Sequence, residues 1–237
     1  MIQPSLADSL KKWDKISRYS QWIYNQYKDF IGASIFDVGI GIGAMTDFYI
    51  RNANFVFGVD IFDTQLEMVR QRFRSFNFVA EKMDIEKDDI VGLKSNNFDT
   101  IIMVNVLEHI EYDLSTLEKL KDILTDGGRM IIFVPAIPFL FNGFDKASGH
   151  YRRYKKKMLK NIAAALGMRV LKCRYFNFFG IFPYFLKGLN TKGNTFSGAL
   201  NKGDSKLYNL GAILLAPLER VIPPPLGLSC YIIMQKE

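Results

Sequence analysis

Cysteine and histidine are scarce in this 237-residue chain, and each scarcity narrows what the chain can be. The two cysteines, Cys173 and Cys230, stand far apart, with no paired spacing to either histidine, so neither a disulfide framework nor a zinc module is expected. Reduced thiols are the simplest reading. Long apolar runs are missing as well: no uncharged stretch is longer than residues 130–144, which contain two prolines and are fewer than the roughly 20 residues that span a bilayer. No transmembrane segment is expected. The opening stretch MIQPSLADSLKKWDKISRYSQW is charged and lacks the apolar core of a signal peptide, which predicts a cytoplasmic location. Internal repeats and low-complexity tracts are also lacking.

What is present describes a globular chain. Hydrophobic residues make up 49% and charged residues 23%, with 20 Phe and 11 Tyr, most of them expected in the core and some around a pocket. The net charge of +7 suits an anionic partner, yet the basic residues are spread out and only residues 152–157 form a dense run. With no recognisable nucleic-acid module beside that charge, nucleic acid is not an expected partner.

From residue 34 to 134 short apolar runs alternate with longer amphipathic ones, the pattern of β-α-β units around a parallel sheet. The pattern predicts strands over residues 34–38, 55–59, 76–79, 99–104 and 129–134, and helices over 44–51, 63–75 and 114–124. Asp126-Gly127-Gly128 reads as the stop of the third helix. Pro135 and Pro138 then break the rhythm, and a basic helix over 154–166, closed by Gly167, follows. A strand over 169–175, an irregular region over 177–225 and a last strand over 228–234 complete the chain, the last strand joining the sheet edge as hairpin partner of the one before.

The strongest local signal is the apolar strand Ile35-Phe36-Asp37-Val38 running into Gly39, Gly41 and Gly43. Glycines there let the backbone turn sharply and approach a ligand closely. Gly39, Gly41 and Ala44 also satisfy a dinucleotide fingerprint, so a nicotinamide enzyme remains an alternative at this point. Asp37, two residues before the first glycine, favours a cationic or amino-bearing cofactor over a pyrophosphate. Asp60, at the end of the second strand, can accept hydrogen bonds from both hydroxyls of a ribose. Asp84, after the third strand, can accept from an adenine amine, with Ile61 and Ile85 against the ring faces.

Together with Asn105-Val106-Leu107-Glu108-His109-Ile110, these residues resemble the class I methyltransferases that use S-adenosylmethionine. The resemblance covers residues 18–175 and continues more weakly over 228–234. Arg18-Tyr19, Trp22 and Gly149-His150-Tyr151-Arg152-Arg153-Tyr154 look like a bacterial branch that often accompanies glycan and lipid biosynthesis. Ile40 departs from the Cys or Ala common between the first two motif glycines, and is expected to narrow the space beside the cofactor.

The resemblance implies a seven-stranded, doubly wound, mostly parallel α/β sheet with a reversed last strand. It implies four parts: an N-terminal helical cap over 1–33, a cofactor-binding core over 34–175, a lid or substrate insertion over 176–226 and a closing strand over 227–237. In that frame Asp37 lies near the cofactor's amino group, and the backbone from Gly39 to Gly43 runs beneath its methionine part. Asn105 presents its carbonyl to the methionine amine, and Arg18 pairs with the methionine carboxylate.

His109 and His150, the only histidines, are the catalytic candidates. His150 is read as a substrate-side base, oriented by Asp145, with Tyr151, Arg152 and Tyr154 as substrate contacts in the same loop. No metal site is expected, because no histidine and carboxylate cluster is visible along the sequence. The implied activity is methyl transfer to a small-molecule, glycan or lipid-linked acceptor, at oxygen, yielding S-adenosylhomocysteine. Peripheral membrane contact and a homodimer are the partner readings for the uncharged stretches. The alternatives are an NAD(P)-dependent oxidoreductase and a non-catalytic nucleoside-cofactor-binding protein.

Overall fold

Neighbouring residues of the central strands are apolar on both sides, which only a sheet covered on both faces accommodates. Ile35 packs into one core cluster and Phe36 into the other, and the alternation repeats at Val56 and Phe57, Ile102 and Met103, and Tyr231 and Ile232. The computed structural model describes residues 17–182, 184–185, 219 and 222–237.

Its seven strands are β1 (Ser34–Val38), β2 (Phe55–Asp60), β3 (Phe78–Lys82), β4 (Phe98–Val104), β5 (Leu124–Pro135), β6 (Arg169–Phe176) and β7 (Ser229–Gln235). They lie in the order β3-β2-β1-β4-β5-β7-β6, and β7 runs antiparallel to both of its neighbours. On one face α1 (Ser17–Tyr24) and α2 (Asp63–Arg72) bury Trp22, Ile23, Leu66 and Val69. On the other, α3 (Asp113–Ile123) and α5 (Lys156–Ala165) bury Leu117, Leu120, Leu159 and Ala163. Between β5 and α5 lies a short helix, α4 (Gly143–Ala147). The chain winds outward from β1 to β3, then returns to β4 on the other side of β1. That reversal opens a crevice above the carboxyl ends of β1 and β4, where open α/β sheets take their ligands.

Several local expectations change. The last strand is not at the edge: β7 inserts between β5 and β6, leaving β6 outermost. The residues explain this, because Cys230, Tyr231, Ile232, Ile233 and Met234 are all buried, whereas β6 exposes Arg169, Val170 and Arg174. A strand apolar on both faces belongs inside a sheet.

The helix expected over 44–51 is only a 3-10 turn, Thr46–Phe48, since Thr46 and Tyr49 turn inward and donate their hydroxyls to Asp37. Asp126-Gly127-Gly128 does not stop α3, which ends at Ile123. It lies within β5, where Gly127 N–H donates to Lys236 O and Gly128 O accepts from Lys236 N–H, both at 2.9 Å. β3 begins two residues later than expected, because Phe76 still packs on Phe73 at the end of α2.

Gly167, at φ +63, closes α5 with its N–H on Ala164 O. Of the expected cap, residues 1–16 lie outside the described residues, as does most of the 176–226 insertion, including the uncharged stretch 207–218. Among the described residues no helix is long and apolar enough to cross a membrane.

Candidate active site

Gly39, Gly41 and Gly43 all have positive φ, at 70°, 56° and 74°, so the loop after β1 has the backbone that side chains resist. The three differ in what surrounds them. A Cβ on Gly39 would meet Val106 Cγ2 at 2.4 Å, and one on Gly43 would meet Phe73 Cε2 at 2.5 Å, so both glycines let the protein pack on itself. At Gly41 the nearest atom would be Gln65 Oε1 at 3.4 Å, which leaves this backbone open to a ligand. Ile40 does not narrow that space: it is buried, and its Cδ1 lies 2.4 Å from where a Cβ on Gly58 would stand. The missing side chain at Gly58 makes room for it.

The acids frame this loop. Asp60 at the end of β2 is buried and accepts from Gly41 N–H at 2.8 Å and Phe62 N–H at 3.1 Å, while burial raises its pKa. Asp37 is buried beneath the loop, and Oδ2 accepts from the hydroxyls of Thr46, at 2.7 Å, and Tyr49. Burial pushes its carboxyl up to about 6, and those hydroxyls act against the rise.

Asp84 lies further out, with Lys87 Nζ at 2.7 Å; burial acts to raise its pKa, but Lys87 and the Glu86 N–H hold it below the usual range. Ile85 is buried in the core, Ile61 is half-buried, and Asn105 is exposed just past β4 with φ +55. Arg18 is exposed on α1.

Val106, packed on Gly39, leads directly into the 3-10 turn Leu107–His109, which joins the glycine loop to a second constellation. Tyr151 N–H donates to Glu108 O at 2.8 Å, and His109 Nδ1 stands 3.3 Å from Gly149 O. These contacts dock the loop after α4 onto the end of β4. The rings of His109 and His150 meet edge to face, with centroids 4.6 Å apart.

Asp145, fully buried at the start of α4, is the hub of this second group. Its Oδ1 accepts from His150 Nδ1 and Arg153 Nε, each at 2.9 Å, and its Oδ2 from Asn142 N–H and the Tyr184 hydroxyl, each at 3.0 Å. Burial acts to raise its pKa, and His150 and Arg153 outweigh it, keeping the carboxylate below its ordinary range.

Other loop residues fall elsewhere. Tyr154 is not a substrate contact: it is 0% exposed, with its hydroxyl on Asp113 Oδ2 at 2.8 Å. The Arg152 guanidinium is taken up by Asp113 Oδ2 at 2.8 Å and Glu111 O at 2.6 Å, and of Tyr151, Arg152 and Tyr154, Tyr151 alone is exposed.

The expected absence of a histidine and carboxylate cluster is overturned. One ligand atom from each of Glu108, His109 and His150 lies within 4.8 Å of the others. Glu108 is 1% exposed, its Oε2 has no hydrogen-bond partner among the described residues, and burial pushes its carboxyl up to about 8. Along the sequence Glu108 stands out only as part of a motif; the adjacent Glu-His pair is its signal, and the third member lies far along the chain.

Residues 36–130 match a family described as a methyltransferase domain. A demethylmenaquinone methyltransferase of Tropheryma whipplei is 26% identical over 132 residues, covering 56% of this chain and 52% of that protein. A ubiquinone biosynthesis O-methyltransferase of Nitrosococcus oceani is 27% identical over 99 residues, 42% of each chain. The chain thus spans about half the length of the curated relatives it matches. The crystal structure of an S-adenosylmethionine-dependent methyltransferase from Archaeoglobus fulgidus superposes with a TM-score of 0.58 at 18% identity, covering 92% of this chain and 94% of that one. The open glycine backbone at Gly41 and the acids ending β1 and β2 suit such a cofactor; residues 36–130 match a methyltransferase domain, and the chain has the class I, S-adenosylmethionine-dependent methyltransferase fold.

Proposed function

We propose that this protein transfers a methyl group from S-adenosylmethionine to an oxygen of a small acceptor with an apolar body. The observation that carries the reading is the buried Asp145–His150 pair, docked against the strand end that also packs on the glycine loop. Asp145 accepts the Nδ1 proton of His150 and so leaves Nε2 as the basic nitrogen. That nitrogen takes the acceptor's hydroxyl proton as the oxygen attacks. On the cofactor side Asp60 holds the ribose, Asp84 the adenine amine, and Asp37 with the Asn105 carbonyl the amino group; Arg18 reaches the carboxylate. The cofactor, when bound, supplies a methyl on a positively charged sulfur that leaves without acid assistance. The protein's work is therefore alignment and proton removal.

Phe139, Phe182 and Tyr151, exposed at 85%, 68% and 51%, support an acceptor with an apolar body, as does the likeness to two enzymes named for quinones. The test combines calorimetry with S-adenosylhomocysteine and NAD, and mass detection of labelled methyl transferred to quinols and lipid-linked sugars. Binding of S-adenosylhomocysteine with methylation of an oxygen is the expected result. Binding of NAD in its place overturns the reading.

A further inference from the structure

We propose that Glu108, His109 and His150 form a site for a divalent first-row transition metal, whose open positions take the oxygen of the methyl acceptor. Three observations support it. The first is proximity: the three ligand atoms lie within 4.8 Å of one another. Around one ion at bond lengths of about 2.1 Å, tetrahedral ligands stand about 3.4 Å apart, so the cluster has to close by about an ångström or more.

The second is Glu108 Oε2, which is buried without a hydrogen-bond partner among the described residues, on a side chain only 1% exposed. A carboxylate oxygen left so is costly unless a cation or donor meets it. The third is the state of the two rings. His109 Nδ1 faces Gly149 O and His150 Nδ1 faces Asp145 Oδ1, so each imidazole in its neutral form has its proton on Nδ1 and its lone pair on Nε2. An outer carbonyl or carboxylate holding the far nitrogen is the arrangement that orients metal-binding histidines.

Two imidazoles and one carboxylate suit zinc, cobalt, iron or manganese better than calcium or magnesium, and three protein ligands leave positions open. A metal there would lower the pKa of a bound hydroxyl so that its proton leaves to solvent, with His150 Nε2 then a ligand in place of the base named above. This acceptor role rests on the methyl-transfer reading above; the cation site does not.

The test uses the full chain treated with EDTA, titrated with Zn²⁺ by calorimetry and with Co²⁺ by visible absorption, without S-adenosylhomocysteine. One equivalent should bind, Co²⁺ should show d–d bands, and Glu108→Gln and His150→Ala should each weaken binding at least about tenfold. Circular dichroism and S-adenosylhomocysteine binding check that both variants fold. No stoichiometric uptake, or equal uptake by folded variants, overturns the cation site. Adding catechol should shift the Co²⁺ bands, and unchanged bands overturn the acceptor role. Metal uptake without S-adenosylhomocysteine binding would instead sink the methyl-transfer reading and leave the cation site standing.

Discussion

The two sides of the crevice are built from different materials. Around the glycine loop the proposed cofactor contacts combine carboxylates with an open stretch of backbone: Gly41 exposes its peptide, and Asp60 holds that peptide by its N–H. Around His150 they are side chains, held by a buried carboxylate that accepts four hydrogen bonds from His150, Arg153, Asn142 and Tyr184. A backbone cradle tolerates any side chain that points away from it, whereas a side-chain cluster loses its chemistry with a single residue. The cofactor side should therefore fail through bulk, and the acceptor side through deletion.

The largest effect expected is on the acceptor side. His150→Ala should lower methyl transfer by about 100- to 10,000-fold, the range of a lost general base, with S-adenosylhomocysteine affinity within about 0.5 kcal/mol of the parent. Arg152→Ala in the same loop should lower turnover far less, because its guanidinium is bound to Asp113 and Glu111 O and is partly solvated. Steady-state kinetics with the identified acceptor, beside calorimetry, separates the two. Equal losses for both would mean that the whole loop, and not the imidazole, carries the chemistry.

Next in size is Gly41→Val, which should weaken S-adenosylhomocysteine at least about 100-fold; φ +56 strains a β-branched side chain, but with the nearest atom to the new Cβ, Gln65 Oε1, at 3.4 Å the loss of stability should be smaller than at Gly39. Gly39→Val should instead lower the melting temperature sharply, its Cβ meeting Val106 at 2.4 Å. A Gly41→Val protein that binds normally would break the backbone-cradle reading. Asp60→Ala should cost about 1 to 3 kcal/mol of S-adenosylhomocysteine affinity, both from the lost ribose contact and from a loosened Gly41 peptide. Unchanged affinity by calorimetry would remove Asp60 from the site.

This contrast also decided what could be read beforehand. Strand, glycines and the two acids fall within residues 35–60, so spacing alone exposes the cofactor side, and the seven strands follow from their apolar runs. The acceptor side is assembled from residues 107–109 and 142–153, which meet only after β5 brings them together, and no local period encodes that. The position of β7 is hidden for a related reason: linear order does not show which strand lies between which others, although the run of Cys230, Tyr231, Ile232, Ile233 and Met234 suits an interior place. Tyr154 misled because loop position suggests access, whereas the bond to Asp113 draws it inward.

The smallest effect tests the charge beneath the loop. Asp37 has a folded pKa of about 6 against an ordinary 3.8, so the folded form holds the proton more tightly than the unfolded chain does. Its contribution to stability is therefore fully present below pH 4 and is lost as pH rises to about 6. Cofactor affinity should run the other way, because the amino group of S-adenosylhomocysteine attracts the ionised carboxylate: binding should tighten about fourfold from pH 5.5 to 7 as a group with pKa near 6 ionises. Calorimetry across that range and thermal melts of the free protein measure the two slopes. Asp37→Asn, which keeps an acceptor for Thr46 and Tyr49, should flatten both. Should the parent protein bind equally at every pH while its stability still changes, Asp37 is an anchor for those two hydroxyls alone, and the cofactor's amino group is held by the Asn105 carbonyl without it.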